Sequence, residues 1–343
     1  LNPINKDLIT VSTVRKNILS FNYEAQVLND RLRTNLMGKY TTNRTHQVRP
    51  EIVPQNGEQV IVRHDTTSFM SNFGYGATLS YNIVRDLFLI GSGERSYVMP
   101  EERQLYGDPE NNILPNRRLQ PERNNNYNLG FRWGMVQYGR HKLSVYASAF
   151  WRNGYDKITQ QVVDATEIDR EEDADIQTTR YINLGQTQAR GVEAELLYIY
   201  NDRLNALVNF SKFNNLFKGG VDGSGRNHDF YNHQVPNEPY FTVNANIQYR
   251  LDNVFQRRSV LNLYYNTGYV GEFYVVWGSP DWARTPTQFT HDFGASYRFP
   301  NGKLIVSGDI KNVFNAEVYD NFMIQKPGRA FYLKLNYTIN KFI

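Results

Sequence analysis

The chain has no cysteine among its 343 residues. No disulfide can staple the fold, and no thiolate is available as metal ligand or nucleophile. Long hydrophobic runs are missing as well. No stretch approaches the roughly 18 consecutive apolar residues of a membrane-spanning helix, and the mean hydropathy is −0.59. Transmembrane helices are thereby excluded, but β-barrels are not, because half of their strand positions are polar. Charge of one sign is scarce. A net charge of +4 is small for this length, and without a basic helix or helix-turn-helix pattern no nucleic-acid partner is expected. The six histidines are His46, His64, His141, His228, His233 and His291. They form no HExxH, no GxSxG accompanies them, and nothing pairs a nucleophile with a base. Hence no catalytic residue, no resident metal and no cofactor is expected. The chain starts at Leu1 with no visible signal peptide, which suggests a mature chain or a fragment.

What the sequence does have is alternation. Phe331, Leu333, Leu335, Tyr337 and Ile339 alternate with Tyr332, Lys334, Asn336, Thr338 and Asn340. Phe241, Val243, Ala245, Ile247 and Tyr249 do the same against Thr242, Asn244, Asn246, Gln248 and Arg250. Phe73, Tyr75, Ala77, Leu79, Tyr81 and Ile83 repeat the pattern near the start. A period of two gives each strand one apolar and one polar face. Repeated this often, it predicts an all-β chain, a transmembrane antiparallel barrel with lipid on one face and water or protein on the other. The aromatic share of 14%, with 24 Tyr and 20 Phe, suits girdles at the two bilayer interfaces.

About thirteen strands are predicted, near 15–28, 31–48, 68–84, 86–98, 126–137, 142–163, 179–200, 204–213, 239–250, 259–274, 288–299, 303–314 and 329–343. Short turns and long loops alternate between them. The long ones fall at 49–67, 99–125, 164–178, 214–238, 275–287 and 315–328. Long on one rim and short on the other is the up-and-down outer-membrane pattern, with long loops extracellular. Thirteen is an odd count, whereas bacterial single-chain barrels have even ones, and an open sheet would leave two unpaired edges, which a bilayer does not tolerate. Residues 1–343 are therefore expected to be the C-terminal part of a larger barrel, about 22 strands in all, with its N-terminal strands elsewhere.

Four stretches resemble the C-terminal barrel of TonB-dependent outer-membrane receptors, together spanning about 116–343. Asn116-Arg117-Arg118-Leu119-Gln120-Pro121-Glu122-Arg123, with Asn126 to Gly130, is similar to that family's "NPxLxPE" signature, with Arg117 where the family has Pro. Gly191-Val192-Glu193-Ala194-Glu195 resembles its "GxExE" strand. Val235-Pro236-Asn237-Glu238-Pro239 resembles its entry to a descending strand, and Asn312-Val313-Phe314-Asn315, Tyr319-Asp320 and Pro327-Gly328-Arg329 its barrel end. The family usually ends on an aromatic; here Phe342 is penultimate and Ile343 last. The resemblance implies uptake of a scarce nutrient, most often a ferric siderophore, across the outer membrane of a Gram-negative bacterium. Drive would come from TonB acting on an N-terminal plug. Uptake of glycan, peptide or cobalamin, or a structural or adhesin barrel without transport, stays open.

The alternation and the resemblance together name candidate residues. Arg132, Arg152, Glu193, Glu195, Arg298, Asp309 and Lys311 should face inward, as plug contacts or as solvated lumen residues. Trp277, Trp282 and Arg284, near Tyr274, could grip an aromatic or anionic ligand such as an iron chelate, or belong to an aromatic girdle. His228, Tyr231 and His233 follow a Gly-rich loop and could touch a metal chelate or simply be polar loop. Asp164, Glu167, Asp169, Glu171, Glu172, Asp173 and Asp175 face only Arg170; they could hold Ca²⁺ against lipopolysaccharide, though a solvated loop tip suits them better. The expected partners are outer-membrane lipid and lipopolysaccharide, TonB and a small nutrient ligand.

Overall fold

Alternation becomes two faces only when neighbouring strands pair without slipping, since a one-residue shift exchanges the faces. The computed structural model describes residues 11–55, 58–108, 112–162, 179–219, 229–278, 281–320 and 323–339. The strands, in chain order, are β1 (Val11–Val27), β2 (Leu32–Gln55), β3 (Glu58–Val84), β4 (Leu87–Val98), β5 (Ile113–Leu114), β6 (Glu122–Tyr138) and β7 (His141–Tyr155). They continue as β8 (Ile158–Val162), β9 (Thr179–Asn183), β10 (Thr187–Tyr200), β11 (Leu204–Phe217), β12 (Phe241–Asp252) and β13 (Val260–Val270). The last are β14 (Phe273–Tyr274), β15 (Arg284–Thr285), β16 (Gln288–Arg298), β17 (Leu304–Lys311) and β18 (Ala330–Tyr337). Among the described residues a single helix, α1 (Glu102–Tyr106), and a 3-10 turn (Asp281–Ala283) stand between them. No helix among the described residues is long and apolar enough to cross a membrane.

Thirteen strands form one antiparallel sheet in the order β1-β2-β3-β4-β6-β7-β10-β11-β12-β13-β16-β17-β18. These are the thirteen strands the alternation predicts, each hydrogen-bonded to its sequence neighbour in the sheet. The register keeps the faces apart over many strands. Val145 opposes Leu196, which opposes Val208, which opposes Ala245. One residue along, Tyr146 opposes Glu195, then Asn209, then Asn244. The apolar face is uncovered by protein: Leu333 is 76% and Leu335 68% exposed. A continuous apolar face of this size needs a lipid neighbour.

The short rim is built from tight turns whose residues take the left-handed region. Leu28, Asn29 and Asp30 have φ of 56°, 53° and 63°, Asn201 and Asp202 both 52°, and Gly302 69°. Asn, Asp and Gly tolerate that region best, so the turn chemistry agrees with the shortness of these connections. Gly191 serves a different need. A Cβ there would lie 2.4 Å from the Phe213 Cβ and 2.7 Å from the Phe150 ring, so only glycine lets those rings cross its strand.

The long rim departs from expectation. The expected loop 49–67 is instead the upper part of the β2–β3 hairpin, paired from Val48↔Asp65 up to Gln55↔Glu58. Beyond Val48 no described residue pairs on the β1 side of β2, so Pro50 and Pro54 occupy an edge where a missing donor is tolerated. The expected strands 142–163 and 179–200 each break in two. Their outer pieces, β8 and β9, join β5 in a separate three-stranded sheet. Likewise 275–287 ends in β15, which pairs with β14 as a small ribbon.

Candidate functional site

Among the described residues most buried apolar side chains gather at the long rim, with Phe150 and Val260 the exceptions in the wall. Leu105, Tyr106 and Leu119 form a buried cluster, with Met70, Ile158 and Tyr181 packed on it. Helix α1 starts in a capping box, in which the Gln104 side chain accepts from the Glu101 amide at 2.9 Å. It delivers Tyr106 to β2, where the hydroxyl donates to the Thr45 carbonyl at 3.2 Å. Burial raises the Tyr106 pKa, so the hydroxyl stays a donor. The Asn116–Glu122 motif fastens this cap. Asn116 donates to the Tyr181 carbonyl at 2.8 Å, Asn183 accepts from the Gln120 amide at 2.9 Å, and Glu122 accepts from the Ile158 amide at 2.9 Å. Leu119 is its apolar anchor, 1% exposed.

A second cluster joins the 229–240 segment to the 273–285 ribbon. Trp277 stacks on Phe230 at 5.3 Å and meets Phe217 edge-on at 5.6 Å. Phe217 is buried at the end of β11. His233 leans on Phe230 at 6.4 Å, and its carbonyl accepts from the Phe217 amide at 2.9 Å. Lys218 lies 5.4 Å from the Tyr231 ring and donates to Asn232. Asn215 donates to Glu238 at 2.8 Å, and burial raises the Glu238 pKa against the opposing effects of Asn215 and Lys157.

The third brace is the Asn312–Arg329 motif. Asn312 accepts from the Ala316 amide and donates to the Ala316 carbonyl, at 2.8 and 2.7 Å, making its own turn. Asn315 accepts from the Arg329 amide at 2.8 Å, and Gln288 accepts from the Tyr319 amide at 3.0 Å.

The candidate residues thus separate. Trp277 and His233 meet through Phe230, as packing. Trp282 stands 76% exposed, and Arg284 pairs with Glu272 at 3.2 Å on the ribbon beside Tyr274. Tyr231 is exposed beside Lys218. His228 and the acidic segment 164–175 lie outside the described residues. Among the described residues no group of three or more His, Cys, Asp or Glu gathers as a metal site.

All seven inward candidates lie on the polar face. Arg132 opposes Phe88 and Tyr146, and Arg152 opposes Asn126 with its guanidinium 4.5 Å from the Phe150 ring. Arg298 opposes Val260 and Ile305 near a short turn. Asp309 accepts from the Tyr264 hydroxyl, and Lys311 pairs with Asp292 at 3.1 Å. Glu193 and Glu195 share a cleft of about 390 Å³ with Tyr146, Asn209, Ser211, Thr242 and Asn244. Where this face meets the long rim, a larger cleft of about 510 Å³ is lined by Asn244, Gln288, Thr290, Tyr319, Asp320 and Lys326, among others. Tyr319 and Asp320 belong to the family-like end motif, and Lys326 directly precedes its Pro327-Gly328-Arg329 part. The sequence marked Tyr319 and Asp320 as motif but gave no sign that they line a cavity.

The family model "TonB dependent receptor-like, beta-barrel" matches residues 7–313. The chain belongs to this family. It is a family of outer-membrane β-barrels that act as receptors and transporters rather than enzymes. Among solved structures, the receptor barrel is similar to the siderophore receptor PiuA from Acinetobacter baumannii, with 16% identity and a TM-score of 0.69 over 96% of this chain and 44% of that one. The ferric-catecholate import receptor Fiu from E. coli K12 matches at 14% identity and a TM-score of 0.65, over 96% and 45%. The copper transporter OprC matches at 12% identity and a TM-score of 0.66, over 96% and 48%. The receptor chain therefore spans about half the length of the structures it matches. No curated protein matches it.

Proposed function

We propose that this receptor imports a scarce nutrient, a ferric siderophore in first place, across the outer membrane of a Gram-negative bacterium in a TonB-dependent manner. The observation that carries the reading is the two-faced wall with clefts on its polar side opening toward a braced long rim, within a family of TonB-dependent receptors. Residues 1–343 supply the C-terminal part of a barrel of about 22 strands, and the plug that answers to TonB lies in another part of the whole protein. The shared fold with PiuA and Fiu supports an iron chelate, whose anionic oxygens suit the Lys326 side of the rim cleft.

In this reading the ligand is first held at the long rim, where Trp282 and Tyr231 present exposed rings and Arg284 a cation. It then passes to the rim cleft. Glu193, Glu195, Asp309 and the inward arginines form the polar bed on which a plug rests. The test is uptake of radiolabelled ferric siderophores by cells carrying the full-length gene, with and without TonB. Uptake that needs both supports the reading. Uptake undiminished without TonB would make the barrel a passive pore, and uptake of none of a broad siderophore panel would move the cargo to another class.

A further inference from the structure

On the polar face of the wall two opposite charges stand across a gap. One row of direct partners runs from Met37 on β2 through Gly76 on β3, Glu94 on β4 and Asn126 on β6 to Arg152 on β7. Arg152 belongs to the polar face, so Glu94 does too. The next row toward the long rim pairs Ser20 on β1 with Lys39 on β2, and Lys39 with Gly74 on β3. Between Lys39 and Glu94, β3 therefore offers two glycines and no side chain. A Cβ at Gly74 would lie 2.9 Å from the Arg95 carbonyl oxygen, so this floor stays bare. The result is a cleft of about 470 Å³, lined by Ser20, Met37, Lys39, Asn72, Glu94 and Ser96, among others. Its upper end meets the cap. Asn72 donates to the Met99 sulfur at 3.6 Å, and Met70, the next residue of β3 on that face, packs on the Leu105 cluster.

Neither charge is spent within the wall. Lys39 is exposed and Glu94 half-buried, and neither has an ion pair or a side-chain hydrogen bond among the described residues. Other charges of this face are engaged. Glu24 on β1 accepts from Asn22 and Asn35 at 3.2 and 3.1 Å, and the Arg152 guanidinium lies 4.5 Å from the Phe150 ring. β2 and β4 flank β3, two ladder spacings or roughly 10 Å apart. Lys39 and Glu94 can lean over the glycines and still leave room for a short ligand between them. A lone anion there would meet Lys39 but be repelled by Glu94, and a lone cation the reverse. A ligand carrying both an ammonium and a carboxylate satisfies the two charges at once, through charge-assisted hydrogen bonds. Ser20 and Ser96 supply hydroxyls that can donate or accept, as the amides between such ends require. The volume falls within the range of about 300–1,000 Å³ usual for small-ligand sites.

We propose that this cleft binds a zwitterionic group of the amino-acid or short-peptide kind, its carboxylate on Lys39 and its ammonium on Glu94. The proposal rests on the importer reading above in one respect, that cargo travels along the polar face, but its test needs no transport. Full-length receptor in detergent is titrated with triglycine, N-acetyltriglycine and triglycinamide, followed by ligand-observed NMR. Triglycine should bind about tenfold more tightly than either blocked form. Lys39→Gln should erase the preference over triglycinamide and keep the preference over N-acetyltriglycine. Glu94→Gln should do the reverse. Equal binding of the three forms would overturn the proposal. So would the absence of triglycine binding, which would mean that the plug fills the cleft; both results come from the unaltered protein. Preferences that persist in the folded variants, shown by unchanged heat-modified gel mobility, would place the site elsewhere and overturn it as well. Siderophore uptake measured in parallel separates the two readings. Intact uptake without a triglycine preference fails only this one, and a triglycine preference without siderophore uptake fails only the siderophore cargo.

Discussion

Replacing Val208 by arginine, and separately Asn209 by arginine, places the same charge on adjacent residues of β11. Val208 is flanked by Leu196 and Ala245 on the apolar face, and Asn209 by Glu195 and Asn244 on the polar face. Both lie inside the strand, with partners on each side, so neither change disturbs an edge. An arginine facing lipid near mid-membrane costs about 2–4 kcal/mol, falling toward zero at the interfaces. At the lower figure the folded-to-unfolded ratio drops about thirtyfold. At Asn209 the new guanidinium meets Glu195 and a polar cleft instead, so its cost should stay under about 1 kcal/mol. Equilibrium unfolding of the full-length protein in phospholipid vesicles, followed by tryptophan fluorescence against denaturant, measures both. Equal losses, or a greater loss for Asn209→Arg, would refute the assignment of faces on which the whole reading depends.

Four further outcomes follow from the same geometry. Gly191→Ala should cost about 1–3 kcal/mol, because the added Cβ meets Phe213 and Phe150; a thermal shift in detergent reads it, and no shift would mean the rings yield freely. A cysteine replacing Trp282 should react with a membrane-impermeant maleimide on intact cells, and one replacing Asp202 should not; residues 1–343 contribute no native cysteine to the signal. Trp277→Ala should loosen the 229–240 segment and speed its hydrogen exchange, whereas Trp282→Ala should lower ligand affinity and leave exchange unchanged. Burial raises the Glu238 pKa in the folded state, so its contribution to stability is present below the unfolded value of about 4.3 and is lost as pH rises through the raised folded value. Protection of 229–240, corrected for intrinsic exchange, should therefore weaken over that interval, and Glu238→Gln should flatten the dependence.

The wall was legible in the sequence because lipid enforces it. Leu335 and Asn336 cannot exchange faces without burying the wrong group, so the period of two survives wherever the strand crosses the apolar layer. Above that layer the constraint lapses. Arg49 to Gln55 carry two prolines and mixed polarity, and read as loop, although they pair with β3 up to the hairpin tip. Nothing local marks Leu105 and Leu119 as partners, since the cluster depends on Tyr181 far along the chain. Trp277 and Trp282 look alike in sequence; only the stacking on Phe230 separates a packing residue from an exposed one. The motif residues Asn116, Asn312 and Asn315 were visible as family likeness, yet their work is to close loop turns with side-chain amides.

The cap has its own apolar cluster, and the wall has none of comparable burial. The two parts therefore answer to different solvents. Detergent exchange, lipid thickness or loss of the bilayer act on the wall, whose outer face is held within the protein by cross-strand ring contacts such as Tyr265 with Phe293 at 4.7 Å. Heat and chaotropes act first on the cap, whose cohesion is ordinary aqueous burial of Leu105, Tyr106 and Leu119. Calorimetry of the intact protein should then show two separable transitions. A sample can pass every gel-shift criterion for a sound barrel while its long rim has already melted, so cap and wall have to be monitored by different probes.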